Sequence, residues 1–446
     1  MNIDMNYKVG IVSLGCEKNR VDAEMLLYKL KEKGFTIVDD PAMCDVAIVN
    51  TCGFIESAKQ ESIDEIIELG KLKAEGKIKK IIVTGCLAQR YKSEIMQNMF
   101  EVDAVAGIGA NSDIADIVMR TVQGENVEEF PEKTLLPLEG GRVQSTPGYY
   151  AYIKIAEGCS NCCSYCAIPL IRGKFRSRKM ENIIEEANRL AENGVKELIV
   201  IAQDTTKYGV DLYGEPSLAK LLKELCKIEK LKWIRVLYCY PENLTDELID
   251  TMAQEEKIVK YIDLPMQHCS AQVLHNMNRK GDRDTLKAKV EKLREKIPDI
   301  TIRTTFITGF PGETREDFED LAEFAKEMKF QRLGCFAYSQ EENTKAAEMA
   351  MQIDPEIKQK RADIIMEQQQ LIMEEYCKQL MGKTITVLCE GYDRYAECYF
   401  GRSQADAPEV DGVVFFNCSG AKPAPGDFVQ VKIDDYLGCD PIGEMI

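Results

Sequence analysis

Three cysteines packed into eight residues constrain this chain more than any other feature. Cys159, Cys163 and Cys166 form a C-x3-C-x2-C run inside Glu157-Gly158-Cys159-Ser160-Asn161-Cys162-Cys163-Ser164-Tyr165-Cys166. Thiolates this close together can bind three irons of a cubane cluster and leave the fourth iron open. Cys162 also creates two abutting C-x2-C pairs, Cys159/Cys162 and Cys163/Cys166, which evoke zinc. Zinc ribbons, however, separate their pairs by roughly 15–20 residues, so iron–sulfur ligation is the better reading.

The supply of ligands narrows the chemistry further. The 446 residues hold 17 cysteines and two histidines, His268 and His275. Mixed Cys/His zinc sites and Ser–His or Cys–His triads are nearly excluded. Met1 to Asn6 carry an aspartate and no apolar run, so no secretory signal is expected. No uninterrupted apolar stretch reaches the ~18 residues of a membrane span. The expectation is a cytoplasmic chain with reduced thiols, where many cysteines point to metal or catalysis before disulfides. Lys and Arg number 57 against 74 Asp and Glu, a net charge of −17. Such a chain is a poor general binder of nucleic acid. It suits a basic protein partner, or a small molecule in a local pocket.

The organisation is α/β with a β tail, in about three domains. Residues 1–123 alternate apolar strand runs (Lys8 to Ser13, Asp45 to Asn50, Lys80 to Thr84, Ala104 to Gly107) with amphipathic helices, which predicts an open parallel sheet. Residues 124–148 are turn-rich and read as a linker. Residues 149–381 hold a second series, with strands at Ala151 to Ile155, Glu197 to Ala202, Trp233 to Tyr238, Tyr261 to Pro265, Thr301 to Thr308 and Arg332 to Tyr338, and a trailing helix from Pro355 to Leu380. Six units are too few for a complete eight-unit barrel, so a partial (β/α)6 barrel is expected. Residues 382–446 read as a small β-barrel.

Three further cysteines share one context. Cys16, Cys52 and Cys86 each follow an apolar strand run, at its carboxyl end. Those ends face one crevice in an open parallel sheet, so three soft ligands can converge on an iron–sulfur cluster or zinc. Cys44 precedes its strand and departs from the pattern. The tail cysteines Cys389, Cys398, Cys418 and Cys439 form no C-x2-C pair and read as buried thiols.

With these residues the chain resembles the radical S-adenosylmethionine enzymes, and within them the methylthiotransferases. Ser13-Leu14-Gly15-Cys16-Glu17-Lys18-Asn19-Arg20 looks like the RimO branch. Ala202-Gln203-Asp204-Thr205, Tyr238 with Tyr240-Pro241, Leu264-Pro265-Met266-Gln267-His268, Gly309-Phe310-Pro311-Gly312-Glu313-Thr314 and Asp406-Ala407-Pro408-Glu409-Val410-Asp411-Gly412 are also similar to it. Glu17 stands where proline is common and Cys162 where a basic residue is common. The resemblance implies two [4Fe-4S] clusters and S-adenosylmethionine as cofactors. Cys159, Cys163 and Cys166 would hold the cluster that binds and cleaves S-adenosylmethionine, giving a 5′-deoxyadenosyl radical. Cys16, Cys52 and Cys86 would hold the cluster that carries the sulfur. The implied acceptor is the β-carbon of an aspartate in protein twelve of the small ribosomal subunit. The tail resembles the TRAM module, often used on RNA. Here it carries five basic residues against eleven acids, which suits a basic ribosomal protein better than nucleic acid.

Six residues are expected to touch the cofactor. Arg172, in the basic run Arg172 to Lys179, could offset the cluster's charge or hold a carboxylate, although a solvated charge run would look the same. Gln203, Asp204 and Thr205 end a barrel strand, where ligand contacts or a helix cap are both natural. Gly309 and Gly312 could admit a cofactor to backbone amides, and Thr314 with Asp317 spells a capping box. His268 and His275 read as structural. The competing functions are the same chemistry on a tRNA adenosine, a non-catalytic iron–sulfur electron carrier, and a structural zinc protein. The electron and sulfur donors are unknown.

Overall fold

Continuous apolar runs form strands buried on both faces, as parallel sheets require. The computed structural model describes residues 7–446; Met1 to Asn6, on which the secretory-signal expectation falls, lie outside the described residues. The N-terminal elements are β1 (Lys8–Ser13), α1 (Glu17–Glu32), β2 (Thr36–Ile37), β3 (Val46–Thr51), α2 (Glu56–Ala74), β4 (Lys80–Gly85), α3 (Cys86–Tyr91), α4 (Ser93–Asn98), β5 (Ala104–Ala106), α5 (Ile114–Val122) and β6 (Val127–Glu129). Their sheet runs β2-β1-β3-β4-β5-β6, all parallel. β6 falls in the stretch read as linker. Three residues with one buried apolar side chain, Val127, are too short to register as a strand in sequence, yet they pair with β5.

The central unit holds β7 (Tyr150–Lys154), β8 (Ala156–Glu157), α6 (Ile168–Arg172), β9 (Arg176–Ser177), α7 (Met180–Glu192), β10 (Glu197–Ile201), α8 (Val210–Tyr213), α9 (Leu218–Cys226), β11 (Trp233–Val236), α10 (Asp246–Gln254), β12 (Tyr261–Asp263), α11 (Ala271–Asn276), α12 (Arg283–Lys296), β13 (Thr301–Thr308), α13 (Arg315–Met328), β14 (Arg332–Ala337) and α14 (Pro355–Leu380). Two parallel three-stranded sheets, β11-β10-β7 and β12-β13-β14, are joined where Val259 N–H donates to Ile234 O (3.1 Å) and Cys239 N–H to Asp263 O (2.9 Å). The six strands make the arc of a partial barrel. Ala151, Ile153, Leu198, Val200, Ile262 and Ile302 are among the residues that pack the helix-facing core.

The inner face of the arc is aromatic and charged, so it needs partners. The β-barrel supplies many of them. It comprises β15 (Thr384–Asp393), β16 (Cys398–Arg402), β17 (Val414–Asn417), β18 (Phe428–Leu437) and β19 (Asp440–Met445), closed in the order β15-β16-β17-β19-β18. Arg402 and Arg235 both pair with the buried Glu197, at 2.6 and 2.8 Å. Asp406 pairs with Arg332, and Asp411 reaches Arg303 at 3.6 Å. Part of the tail's negative charge is therefore spent internally. α1 closes another part of the inner face: Val21 packs with Tyr150, Tyr152 and Ile199, and Arg20 meets Glu409 at 2.9 Å. Among the described residues no helix is long and apolar enough to cross a membrane.

Candidate active site

Cys16, Cys52 and Cys86 stand at the carboxyl ends of three adjacent strands, β1, β3 and β4. Cys16 caps α1, Cys52 follows Thr51 directly, and Cys86 opens α3. The loops interlock. Gly15 has φ +85°, and a Cβ there would stand 2.6 Å from Cys52 Cβ; a Cβ at Gly53 would meet the Leu87 backbone at 2.8 Å. Burial pushes the Cys52 thiol up to about 12, and Cys86 and Cys16 add to the rise. Burial also raises Cys86, while Arg172 opposes it. The three cysteines thus stand on interlocked loops at the carboxyl end of one sheet.

The second triad sits on the loop after β8. Cys159 N–H donates to Gly173 O (3.1 Å), Cys166 N–H to Cys163 O (3.1 Å) and Ser164 N–H to Met277 O (3.0 Å). Cys159 is pushed up to about 11 by burial. Burial, Cys163 and Cys159 all raise Cys166. Cys163 Sγ lies 3.5 Å from Tyr240 Oη. Cys162 is exposed, with φ +54°, and Asn278 holds its carbonyl at 3.0 Å.

Among the described residues no group of three or more His, Cys, Asp or Glu side chains is placed so that it could hold a metal ion. The donor chemistry nonetheless fits a cluster in each place. Both triads are all-sulfur, and binding would release thiol protons, which burial favours at Cys52, Cys86, Cys159 and Cys166.

The expected cofactor contacts divide. Gln203 donates to Glu157 Oε1 at 2.8 Å, while its own Oε1 is buried without a partner, an acceptor for an ammonium group. Asp204 and Thr205 are fully buried and turned inward. Asp204 accepts from Asn161 (2.8 Å) and Asn243 (3.1 Å), and so braces the cysteine loop. Thr205 Oγ1 donates to Leu237 O at 2.9 Å. Gly309 and Gly312 stand in tight turns, with φ +70° and +83°. The Gly309 amide is used by Glu313 (2.7 Å) and the Gly312 amide by Met351 O (3.0 Å). A Cβ at Gly309 would lie 2.2 Å from Lys358 Cγ, so close packing against α14 explains that glycine. The capping box of Thr314 and Asp317 is present.

Arg172 is 2% exposed, which excludes the solvated-run alternative, and it faces Cys86 Sγ at 3.3 Å. With Lys154 it neutralises Asp22 and Glu157. Glu157 is held well below the usual carboxylate range: burial raises it, and Lys154 and Arg172 outweigh burial. This quartet escaped the sequence reading, because its members lie up to 150 residues apart in sequence. Tyr240 and Tyr238 carried a signal in the resemblance, without a role. His268 is fully buried, accepts from Ser270 N–H at 2.9 Å, and is pushed down to about 4 by burial.

Comparison with known proteins identifies the three units. Residues 8–107 match the uncharacterized protein family UPF0004, residues 153–325 the radical SAM superfamily, and residues 381–446 the TRAM domain. The chain is 51% identical, over 98% of its length and 99% of the relative's, to the ribosomal protein uS12 methylthiotransferase RimO of Thermoanaerobacter sp. strain X514. It is 52% identical over the same shares to that of Caldanaerobacter subterraneus subsp. tengcongensis. Its fold is similar to the radical S-adenosylmethionine methyltransferase TsrM of Kitasatospora setae, solved with cobalamin and a [4Fe-4S] cluster (TM-score 0.55, 14% identity, 75% of each chain). With one cysteine triad on the N-terminal sheet, another on the loop after β8, and half its residues shared along nearly its whole length, the chain belongs to the RimO family of ribosomal protein uS12 methylthiotransferases.

Proposed function

We propose that this chain is a radical S-adenosylmethionine methylthiotransferase that modifies ribosomal protein uS12, the acceptor being the β-carbon of one aspartate. The observation that carries the reading is the pair of sulfur triads on opposite sides of one seam, one at the carboxyl ends of β1, β3 and β4 and the other on the loop after β8. When bound, the two clusters and S-adenosylmethionine supply radical hydrogen abstraction and the sulfur and methyl of the product.

The protein's part is to hold, orient and shield. Cys159, Cys163 and Cys166 hold one [4Fe-4S] cluster, and Cys16, Cys52 and Cys86 the other. Cys162, exposed, stays outside the ligand set. Gln203 offers its free Oε1 to the S-adenosylmethionine ammonium. Asp204, through Asn161, keeps the cysteine loop in place. The buried inner face of the arc keeps water from the reacting centre.

We assign the units as 1–123, a linker at 124–148 whose β6 completes the first sheet, 149–381 and 382–446. The partner is the basic uS12 protein rather than nucleic acid. Ribosomal proteins carry Lys and Arg to meet phosphate, and the tail, formally −6, stays acidic although Asp406 and Asp411 are paired with Arg332 and Arg303. Action on a ribosomal protein favours a cytoplasmic location; the electron and sulfur donors are unassigned.

The test is anaerobic incubation of the iron- and sulfide-reconstituted chain with uS12, S-adenosylmethionine and dithionite. The reading expects a methylthio group on one uS12 aspartate, located by fragmentation. Cleavage of S-adenosylmethionine with no change in uS12, alongside methylthiolation of tRNA, would contradict it.

A further inference from the structure

Arg172 belongs to the central unit. It ends α6, the short helix that begins two residues after Cys166. Its guanidinium crosses the seam to the N-terminal unit. Nη2 donates to Cys86 Sγ at 3.3 Å and to Asn19 Oδ1 at 3.1 Å. Asn19 in turn donates to the carbonyls of Leu14, Asn50 and Thr51 at 2.8, 3.1 and 3.3 Å. Those carbonyls lie on the backbone just ahead of Cys16 and Cys52. One side chain thus touches one N-terminal sulfur directly and reaches the loops of the other two through a single amide.

The other end of the contact is equally fixed. Nη1 pairs with Asp22 and, at 3.4 Å, with Glu157, the residue two before Cys159. Lys154 pairs with the same two carboxylates. Two cations against two anions leave the quartet formally neutral. Cys86 also packs against Ala167 and Ile171, beside Arg172. A planar fork can satisfy several acceptors at once, which an ammonium cannot. Hydrogen bonds to a cluster's sulfurs and nearby positive charge favour its reduced form.

We propose that Arg172 is a positioning residue for the reaction: it locks the N-terminal sulfur triad against the barrel's cysteine loop and, by donating to the Cys86 sulfur, raises the reduction potential of the cluster held there. This rests on the reading that Cys16, Cys52 and Cys86 hold a cluster.

The test is potentiometric EPR of the full-length chain, purified anaerobically, as wild type, Arg172→Gln and Arg172→Lys. The signal whose g-values move on adding S-adenosylmethionine belongs to the barrel's cluster; the other signal is the one followed. Arg172→Gln is expected to lower the midpoint potential of that second signal and leave the first in place. Arg172→Lys is expected to fall between Arg172→Gln and wild type, because it keeps the charge and loses the fork. Both signals at wild-type potentials in Arg172→Gln would overturn the proposal. If Arg172→Gln does not accumulate folded, Arg172→Lys decides: a lowered second potential supports the proposal, and a wild-type value overturns it. Iron for one cluster per wild-type chain would contradict the underlying reading and the proposal with it. Iron for two clusters with unshifted potentials would contradict the proposal alone.

Discussion

Tyr238 Oη donates to Glu17 Oε2 at 2.6 Å and so ties the residue after Cys16 to the mouth of the barrel. Lys18 Nζ lies 3.1 Å from the Tyr238 ring centroid. Tyr238 itself holds φ +61°, an unfavourable conformation for a side-chain-bearing residue. Burial raises Glu17, but Lys18 and Tyr238 together hold it below the usual carboxylate range. Tyr238→Phe removes the hydrogen bond and keeps the ring under Lys18. A bond to a charged acceptor contributes ~1.5–3 kcal/mol, and the variant should lose about that in urea denaturation of the metal-free chain.

Cys163→Ala should abolish formation of 5′-deoxyadenosine from S-adenosylmethionine under dithionite, measured by chromatography with mass detection. Cys162→Ala should retain it. Equal loss in both variants would show that the ligand assignment is wrong. Cys52→Ala should keep cleavage and stop sulfur insertion.

Gly15→Ala meets two obstacles. The φ of +85° costs a residue with a Cβ ~1–2 kcal/mol, and the new Cβ collides with Cys52. The variant should bind about half the iron of the wild type while still cleaving S-adenosylmethionine, as read by iron assay and 5′-deoxyadenosine formation.

His268 makes stability depend on pH. Its pKa falls from 6.5 to about 4 on folding, because burial disfavours the cation. Its contribution is therefore present above pH 6.5 and is lost as pH falls from 6.5 towards 4. The full loss amounts to ~3 kcal/mol. His268→Gln should flatten that slope in denaturation midpoints measured between pH 7 and pH 4.5.

Much of the fold was legible because parallel strands buried on both faces read as unbroken apolar runs. Thr301–Thr308 and the helix Pro355–Leu380 appear at the residues expected. In the tail, Thr384 to Leu388, Val413 to Asn417 and Phe428 to Ile433 read as strands, whereas β16 and β19 escaped because glycine, proline and charge interrupt Cys398–Arg402 and Asp440–Met445. The cysteine triads were legible from local spacing and from their place after strands. The supports around them were not. Arg172 sits in a run that looks solvated, and the partners that bury it, Asp22 and Cys86, lie in another unit. Gly309 and Gly312 looked open to a cofactor because α14, the element that packs on Gly309, comes some 45 residues later.

The most direct test of the central claim is intact mass spectrometry of small-subunit ribosomal proteins, with nucleoside analysis of tRNA, from cells with and without this gene. Loss of one methylthio group from uS12, with tRNA unchanged, is the predicted result. An unchanged uS12 and a missing methylthio-adenosine would contradict the account.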